Sequence, residues 1–544
     1  MTILDYEQTS WFLGRSNGAT APCDIAQTET NRRRAPPSRS ERVLPVGKAR
    51  ELTSKLGTQT LVEGNPLTDQ LAVTRGEAVM AQSLNAEDLR PGFRGELLCA
   101  GDQGYDAARK VFNAMIDKRP DLIAKCACAE DVRSALKFAR AHEAPLAVRG
   151  GGHNVAGFAV CDQGVVIDLS RMKRIVVDPA ARTVYVEAGA TWGDVSDALQ
   201  SHGLAATGGY VSTTGVSGLT LGGGFGWLVR KHGLAIDNLL AAEVVLADGR
   251  TLATSESENE DLFWAIRGGG GNFGIVTSFT FRVHPAGTVL AGLVVHPVTA
   301  AESVLRRWRT FEETAPEELT QGALLFHFGD DPALPAALQG APVIALGGVY
   351  AAADLDEGER VLAPLRAYGP PVADLFQRTP YNLAQRMGDF LWPPGLYNYW
   401  KSAFRADLSD QAIGVIRDFY ARVPSKATVV VLESLANSAI QRVPEEATAF
   451  VNRRFPFNFL VTSAWSDPVE SERNVAWTRQ FFEAMRPFTA GAAYVNYIGD
   501  EGADGLRVVY GADSLARLER LKVKYDPTNT FRLNQNVARA SRRS

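Results

Sequence analysis

Apolar and polar residues fall into regular periods only from about Asn85 onward. Residues 105–114 carry apolar side chains at helical spacing, and residues 131–140 do so again, so each predicts a helix. The run Gly164-Val165-Val166-Ile167-Asp168-Leu169 predicts a short buried strand. Residues 174–187 form two β-rich arms around Asp178-Pro179, and residues 242–254 do the same around Asp248-Gly249; both read as hairpins. Between them, Thr191-Trp192-Gly193-Asp194 opens a helix with threonine as N-cap and an acid at the third helical position, and Gly203 closes it. After Pro285 the texture changes to longer β-rich runs, several prolines and amphipathic helices such as residues 302–313. From Tyr494 the pattern tightens again.

These shifts divide the chain into an N-terminal extension (1–88) that predicts weak order, a first domain (89–286), a second (287–489) and a closing segment (490–544) that returns to the first. A length of 544 residues exceeds what one compact core holds. Net charge is -4, so no basic excess points to nucleic acid, and no apolar run reaches the ~20 residues of a membrane helix. The arginine-rich stretch Asn31-Arg32-Arg33-Arg34 has no apolar core after it, which argues against a signal peptide and leaves a cytoplasmic protein as the expectation. The five cysteines are sparse, and Cys126-Ala127-Cys128 has neither the spacing nor the second cluster of a zinc site. They read as reduced, mostly buried thiols, and no metal is expected.

Candidate chemistry lies in three glycine-rich loops. The first, Arg149-Gly150-Gly151-Gly152-His153-Asn154, ends an apolar run. Such a strand end exposes backbone N–H groups that cradle a diphosphate without lysines. The second runs from Thr213-Thr214-Gly215-Val216-Ser217-Gly218 to Leu221-Gly222-Gly223-Gly224-Phe225-Gly226, mixing small residues with hydroxyls. The third, Arg267-Gly268-Gly269-Gly270-Gly271-Asn272-Phe273-Gly274-Ile275-Val276, follows a predicted helix at residues 261–266. A Rossmann fingerprint needs strand, Gly-x-Gly-x-x-Gly and helix in one unit, with an acid about 20 residues on. No stretch supplies this, and hairpins rather than crossover helices alternate with the loops.

In this order the motifs resemble the FAD-linked oxidases of the vanillyl-alcohol-oxidase/p-cresol-methylhydroxylase superfamily, in the berberine-bridge-enzyme-like branch. The closing Tyr525-Asp526-Pro527-Thr528-Asn529-Thr530-Phe531-Arg532-Leu533-Asn534-Gln535-Asn536 belongs to the same resemblance. It implies an α+β fold, with a p-cresol-methylhydroxylase-type FAD-binding domain of two α+β subdomains and a substrate domain whose antiparallel sheet is flanked by helices. It also implies FAD held by Arg149, Gly150, Gly151, Gly152, His153, Asn154, Thr213, Thr214, Gly215, Ser217, Gly218, Gly222, Gly223, Gly274, Ile275, Val276, Asn534 and Asn536. His153 is the implied covalent link to the flavin 8α-methyl carbon, which anchors the flavin and raises its potential. Doubly linked members carry a cysteine where this chain has Val211, and valine forms no thioether. His153 is therefore the expected sole link, as in bacterial hydroxynicotine oxidases.

The resemblance further implies hydride transfer from a small alcohol, amine or secondary metabolite, with molecular oxygen reoxidising the flavin to give hydrogen peroxide. Tyr494-Val495-Asn496-Tyr497 matches a Tyr-x-Asn-Tyr element whose second tyrosine serves as base, which makes Tyr497 the first catalytic candidate. A phenol titrates near pH 10, so it needs a cationic neighbour, and Tyr399 and Lys401 are the candidates for the opposite wall. Glu433 is a carboxylate base if it faces the flavin; as a charge on a strand it reads rather as solvent-facing. Ordinary strand tyrosines at 494 and 497, a flavin-binding protein without turnover, and a dehydrogenase with another acceptor remain the alternatives. Oligomeric state is open.

Overall fold

The computed structural model describes residues 84–330 and 334–538, so nearly all of the predicted extension, Cys23 and the arginine-rich stretch lie outside the described residues. Three sheets carry the fold, and it is α+β. The first has strand order Glu96–Cys99, Leu122–Lys125, Val165–Asp168, Leu146–Arg149. Its last three strands are parallel, because the helix Ala129–Ala141 crosses over between Leu122–Lys125 and Leu146–Arg149. One crossover helix is thus present where only hairpins were expected. The Rossmann reading still fails, since Gly150–Gly152 lead into irregular chain and open no helix.

The helix expected over residues 105–114 stops at Ala108. The backbone N–H of Phe112 donates to Gly152 O (3.0 Å) and that of Ala114 to Leu396 O (2.9 Å). Groups committed to distant partners cannot serve an i→i−4 ladder. The helix expected at residues 131–140 spans Ala129–Ala141. The capping box at Thr191 and Asp194 forms both of its bonds, and the helix runs Trp192–Gln200. Both hairpins form and join through Ile275–Arg282 in a five-stranded sheet, with Gly249 at φ 89° in the second turn.

Downstream lies one eight-stranded antiparallel sheet. Its strands follow period two. Val430, Leu432 and Ser434 face a helical layer that includes Ala301–Glu312 and Asp410–Tyr420, while Val429, Val431 and Glu433 face the other way. That second face is turned toward the glycine loops.

The tail then comes back to those loops. The helical stretch Gly502–Tyr525 breaks at Gly511 (φ 65°) and ends beside a buried ion pair, Lys522 Nζ to Asp526 (2.7 Å). Lys522 also donates to Asn272 O and Phe531 O, both at 2.8 Å, and Asp526 accepts the N–H groups of Thr530 (2.8 Å) and Phe531 (2.9 Å). The closing motif is therefore a satisfied buried charge pair stapled to the third glycine loop. Cys99, Cys126, Cys128 and Cys161 are free thiols, two buried and two half-buried. Among the described residues no helix is long and apolar enough to cross a membrane.

Removing one partner of a buried pair strands the other charge, at a cost of about 3–5 kcal/mol. Lys522→Met should lower unfolding stability by that amount in urea titrations, while a Lys524→Met control on the exposed neighbour should change it by less than about 1 kcal/mol.

Candidate functional site

The glycine loops meet backbone to backbone. A Cβ on Gly151 would lie 2.6 Å from Gly215 Cα, and one on Gly215 would lie 2.6 Å from Gly151 Cα. No side chain fits between them, which explains glycine at both places. Gly215 immediately precedes the short helix Val216–Gly222, so first-turn N–H groups of Ser217 and Gly218 border the same space. Gly270–Asn272 of the third loop closes it from the side. The resulting cavity, about 330 Å³, continues onto the large sheet. Its walls contain no lysine or arginine among the described residues. An anionic diphosphate here has backbone N–H groups and hydroxyls such as those of Thr214 and Ser217 as its donors, and the buried Asn534 Oδ1, without a protein partner among the described residues, is a free acceptor on the wall.

His153 is half-buried in this wall. Its Nε2 lies 3.0 Å from Thr213 Oγ1, and its ring stacks on Phe112 (centroids 4.2 Å apart, planes 19°). Burial lowers the imidazole to about 4, so the ring is neutral near pH 7. Val211 lines the cavity as well. Cys161 lies elsewhere, its sulfur against Val165 O (3.6 Å) and Pro145 O (3.8 Å).

The Tyr-x-Asn-Tyr element folds as a single 3₁₀ turn, Val495–Tyr497, and not as a strand. Tyr494 is buried, and its hydroxyl accepts from Gly224 N–H (2.7 Å) and Asn496 Nδ2 (2.8 Å). Asn496 also donates to Leu219 O (3.0 Å). These two residues fasten the turn to the second glycine loop and leave Tyr497 to project across the cavity.

There Tyr497 donates its hydroxyl to Glu433 Oε1 (2.9 Å), and Asn458 Nδ2 donates to Glu433 Oε2 (2.6 Å). The sheet register sets this up. Glu433 pairs with Gly322 on one side, which leaves room, and with Asn458 on the other. Burial pushes the Glu433 carboxyl up to about 7, against the lowering effect of its two hydrogen bonds. Burial, and then the Glu433 charge, push the Tyr497 phenol well above its usual range. The solvent-facing reading of Glu433 is overturned: it is 4% exposed.

Tyr399 and Lys401 do not reach this site. Period-two alternation along Tyr397–Arg405 sends Trp400 to the cavity and its two neighbours to the helical face. There Lys401 pairs with Glu501 (2.6 Å), and the Tyr399 hydroxyl accepts from Arg479 Nε (3.2 Å). Among the described residues no lysine or arginine therefore lines the wall beside Tyr497.

Of the expected cofactor residues, Gly150, Gly151, Gly152, His153, Asn154, Thr214, Gly215, Ser217, Gly218, Gly222, Gly274, Ile275, Val276 and Asn534 border the cavity. Arg149 turns its guanidinium to Ala108 O and packs beneath Gly152. Thr213 hydrogen-bonds the His153 ring, Gly223 (φ 137°) packs against Tyr494, and the buried Asn536 accepts the N–H of Ala538. Tyr210, Trp392 and Trp400 were missed as wall residues, and Glu433 was named as a base but read as solvent-facing. Glu433 had a signal: one acid in Val429-Val430-Val431-Leu432-Glu433 interrupts an all-apolar strand, the pattern of a strand buried on both faces.

Loops, closing staple and cavity together define a flavin-dinucleotide oxidoreductase. Residues 120–255 match the FAD binding domain family and residues 493–538 the berberine and berberine-like family. The FAD-linked oxidoreductase YgaK of Bacillus subtilis is 33% identical over 453 residues, 81% of this chain and 96% of its own. (R)-6-hydroxynicotine oxidase of Paenarthrobacter nicotinovorans is 30% identical, over 82% of this chain and 97% of its own. The crystal structure of 6-hydroxy-D-nicotine oxidase from Arthrobacter nicotinovorans superposes with TM-score 0.74 at 27% identity, covering 82% of this chain and 98% of that one. The chain belongs to the berberine-bridge-like family of FAD-linked oxidoreductases.

The contact of Gly151 with Gly215 carries a direct expectation. Gly151→Val should force the loops apart, and the purified protein should hold FAD at least about tenfold more weakly, ~1.4 kcal/mol, by absorbance titration, with far-ultraviolet circular dichroism unchanged.

Proposed function

We propose that the protein oxidises a small, largely apolar alcohol or amine, using FAD joined covalently to His153 alone and reoxidised by molecular oxygen to hydrogen peroxide. The observation that carries this reading is the Tyr497–Glu433 hydrogen bond, placed across one cavity from His153. Bound FAD supplies the hydride acceptor and the route of electrons to oxygen. The chain supplies binding, orientation and proton removal.

The proton acceptor in this reading is the Glu433 carboxylate. Tyr497, with no lysine or arginine beside it among the described residues, holds its proton too tightly to be the resting base. It relays instead, taking a substrate O–H or N–H proton at its phenol oxygen as it passes its own to Glu433 Oε1. Asn458 steadies the other carboxylate oxygen. Trp392, Trp400 and Tyr210 provide flat apolar walls that exclude water from the reacting carbon. Val211 supports a single covalent link, and the similarity to (R)-6-hydroxynicotine oxidase supports an oxidase. A dehydrogenase with another acceptor is the second reading, and peroxide yield per turnover separates the two.

Two outcomes follow. Acid precipitation should give a fluorescent yellow pellet from the native chain and a flavin-free pellet from His153→Ala; a native pellet that releases all its FAD sinks the covalent assignment. Glu433 must be deprotonated to accept a proton. The rate of flavin reduction should therefore rise with pH through about 7, the value to which burial raises this carboxyl. Glu433→Gln should abolish that rise and lower the rate by about 10²–10⁴-fold.

A further inference from the structure

The large sheet sorts its cavity face into two rows. Register pairs Gly322 with Glu433 and Glu433 with Asn458; two residues along the same strands it pairs Leu324 with Val431 and Val431 with Leu460. A step of two residues is about 7 Å, so a polar row and an apolar row lie side by side at that spacing. Tyr497 joins the polar row through its bond to Glu433, and Tyr210 stands at the same end, where burial and then the Glu433 charge push its phenol well above its usual range. The apolar row has no such company. Leu391, Trp392 and Trp400 pack on the cluster that contains it. Trp392 Nε1 donates to Thr462 Oγ1 and Trp400 Nε1 to Asn398 Oδ1, both at 3.1 Å. An indole N–H can only donate, so these directions are fixed and each ring is left with flat apolar surface for the cavity. Gln321, also on the wall, turns its amide N–H to Glu312 on the helical side.

We propose that the substrate is an aromatic alcohol or amine with one polar group: its O–H or N–H meets Tyr497 at the polar row, its ring lies on Leu324, Val431 and Leu460, and Trp392 is the specificity-determining residue. This rests on the reading that Tyr497 and Glu433 take the substrate proton. A saccharide does not suit the two rows. Each sugar hydroxyl buried over the apolar row loses water and finds no partner, which lowers affinity by about fivefold to a hundredfold per group. A flat ring loses nothing there. Trp392, pinned by its N–H, offers that ring a fixed aromatic face, and an aromatic pair binds about two- to tenfold better than apolar area alone accounts for.

The test titrates the FAD-loaded protein without oxygen, using benzyl alcohol, benzylamine, cyclohexylmethanol and glucose, and follows the change in flavin absorbance, which reports occupancy with or without turnover. The tighter of the two benzyl probes should bind at least about threefold more tightly than cyclohexylmethanol, and glucose should bind at least about a hundredfold more weakly. Trp392→Leu should weaken the benzyl probes at least about threefold and leave cyclohexylmethanol within about twofold; Trp392→Phe, which keeps a ring, should restore most of the benzyl affinity. Glucose binding as tightly as benzyl alcohol overturns the inference. So does an equal loss of benzyl and cyclohexylmethyl probes in Trp392→Leu, since the indole then supplies bulk and not a ring face, and so does the absence of any change with both benzyl probes. None of these outcomes touches the Glu433 reading, which is judged by the pH dependence of flavin reduction. A Glu433→Gln protein that reduces its flavin at the native rate overturns that reading while the benzyl titration stands.

Discussion

Everything at this site depends on two backbones touching where Gly151 meets Gly215. The first loop hangs from a parallel strand and the second opens a short helix, and only side-chain-free contact brings both to one cavity. That closeness lets His153 of the first loop reach Thr213 of the second. The backbone-lined cradle and the placing of the His153 ring are consequences of the same contact. A methyl group at either glycine would undo both.

The way charge is handled follows from the same economy of side chains. Among the described residues the cavity wall holds no lysine or arginine, so an anion bound there would be carried by dipoles. The fixed charges stand one step back: Lys522–Asp526 holds the third loop from behind, and buried Arg230–Glu312 (3.0 Å) ties the short helix Val229–His232 to the helix Ala301–Glu312 that covers the large sheet. Glu433, the one carboxylate among the described residues of the cavity wall, is kept from a costly bare charge by two donors and by a shift toward neutrality. A buried acid poised near pH 7 is what a proton acceptor requires, and here stability and chemistry ask for the same environment.

Much of this was legible in the chain, and the failures have physical causes. Glycine loops, hairpins and the capping box are local: neighbouring residues decide them, and sequence states them directly. The short helix at residues 105–108 is not local, since its continuation is cancelled by bonds to Gly152 and Leu396 far along the chain. Tyr399, Lys401 and Glu433 were misplaced for one shared reason. Which face of a strand looks at the cavity is set by its neighbours in the sheet, and no residue within Tyr397–Arg405 announces that Trp400 points inward. Glu433 gave a hint through its apolar run; the lysine gave none.

The site's two halves come from different parts of the chain, His153 from a glycine loop and Glu433 from the large sheet, so their separation depends on the contacts that bridge them. Asn113 exchanges bonds with Asn398 (2.9 and 3.0 Å), and Asp389 accepts from the N–H (2.7 Å) and Oγ (2.6 Å) of Ser212, beside Thr213. An aromatic series then runs across the gap: Phe112 on His153, Trp400 edge-on to Phe112 at 6.0 Å, and Tyr497 edge-on to Trp400 at 6.2 Å. Each contact is weak alone, about 0.5–1.5 kcal/mol for an aromatic pair, but in series they link the His153 side of the cavity to the Tyr497 side. A covalent flavin suits this construction. With the flavin linked to His153 as proposed, the protein would have only the Trp400–Tyr497 wall left to place, and strand register sets the Trp400 side of that wall.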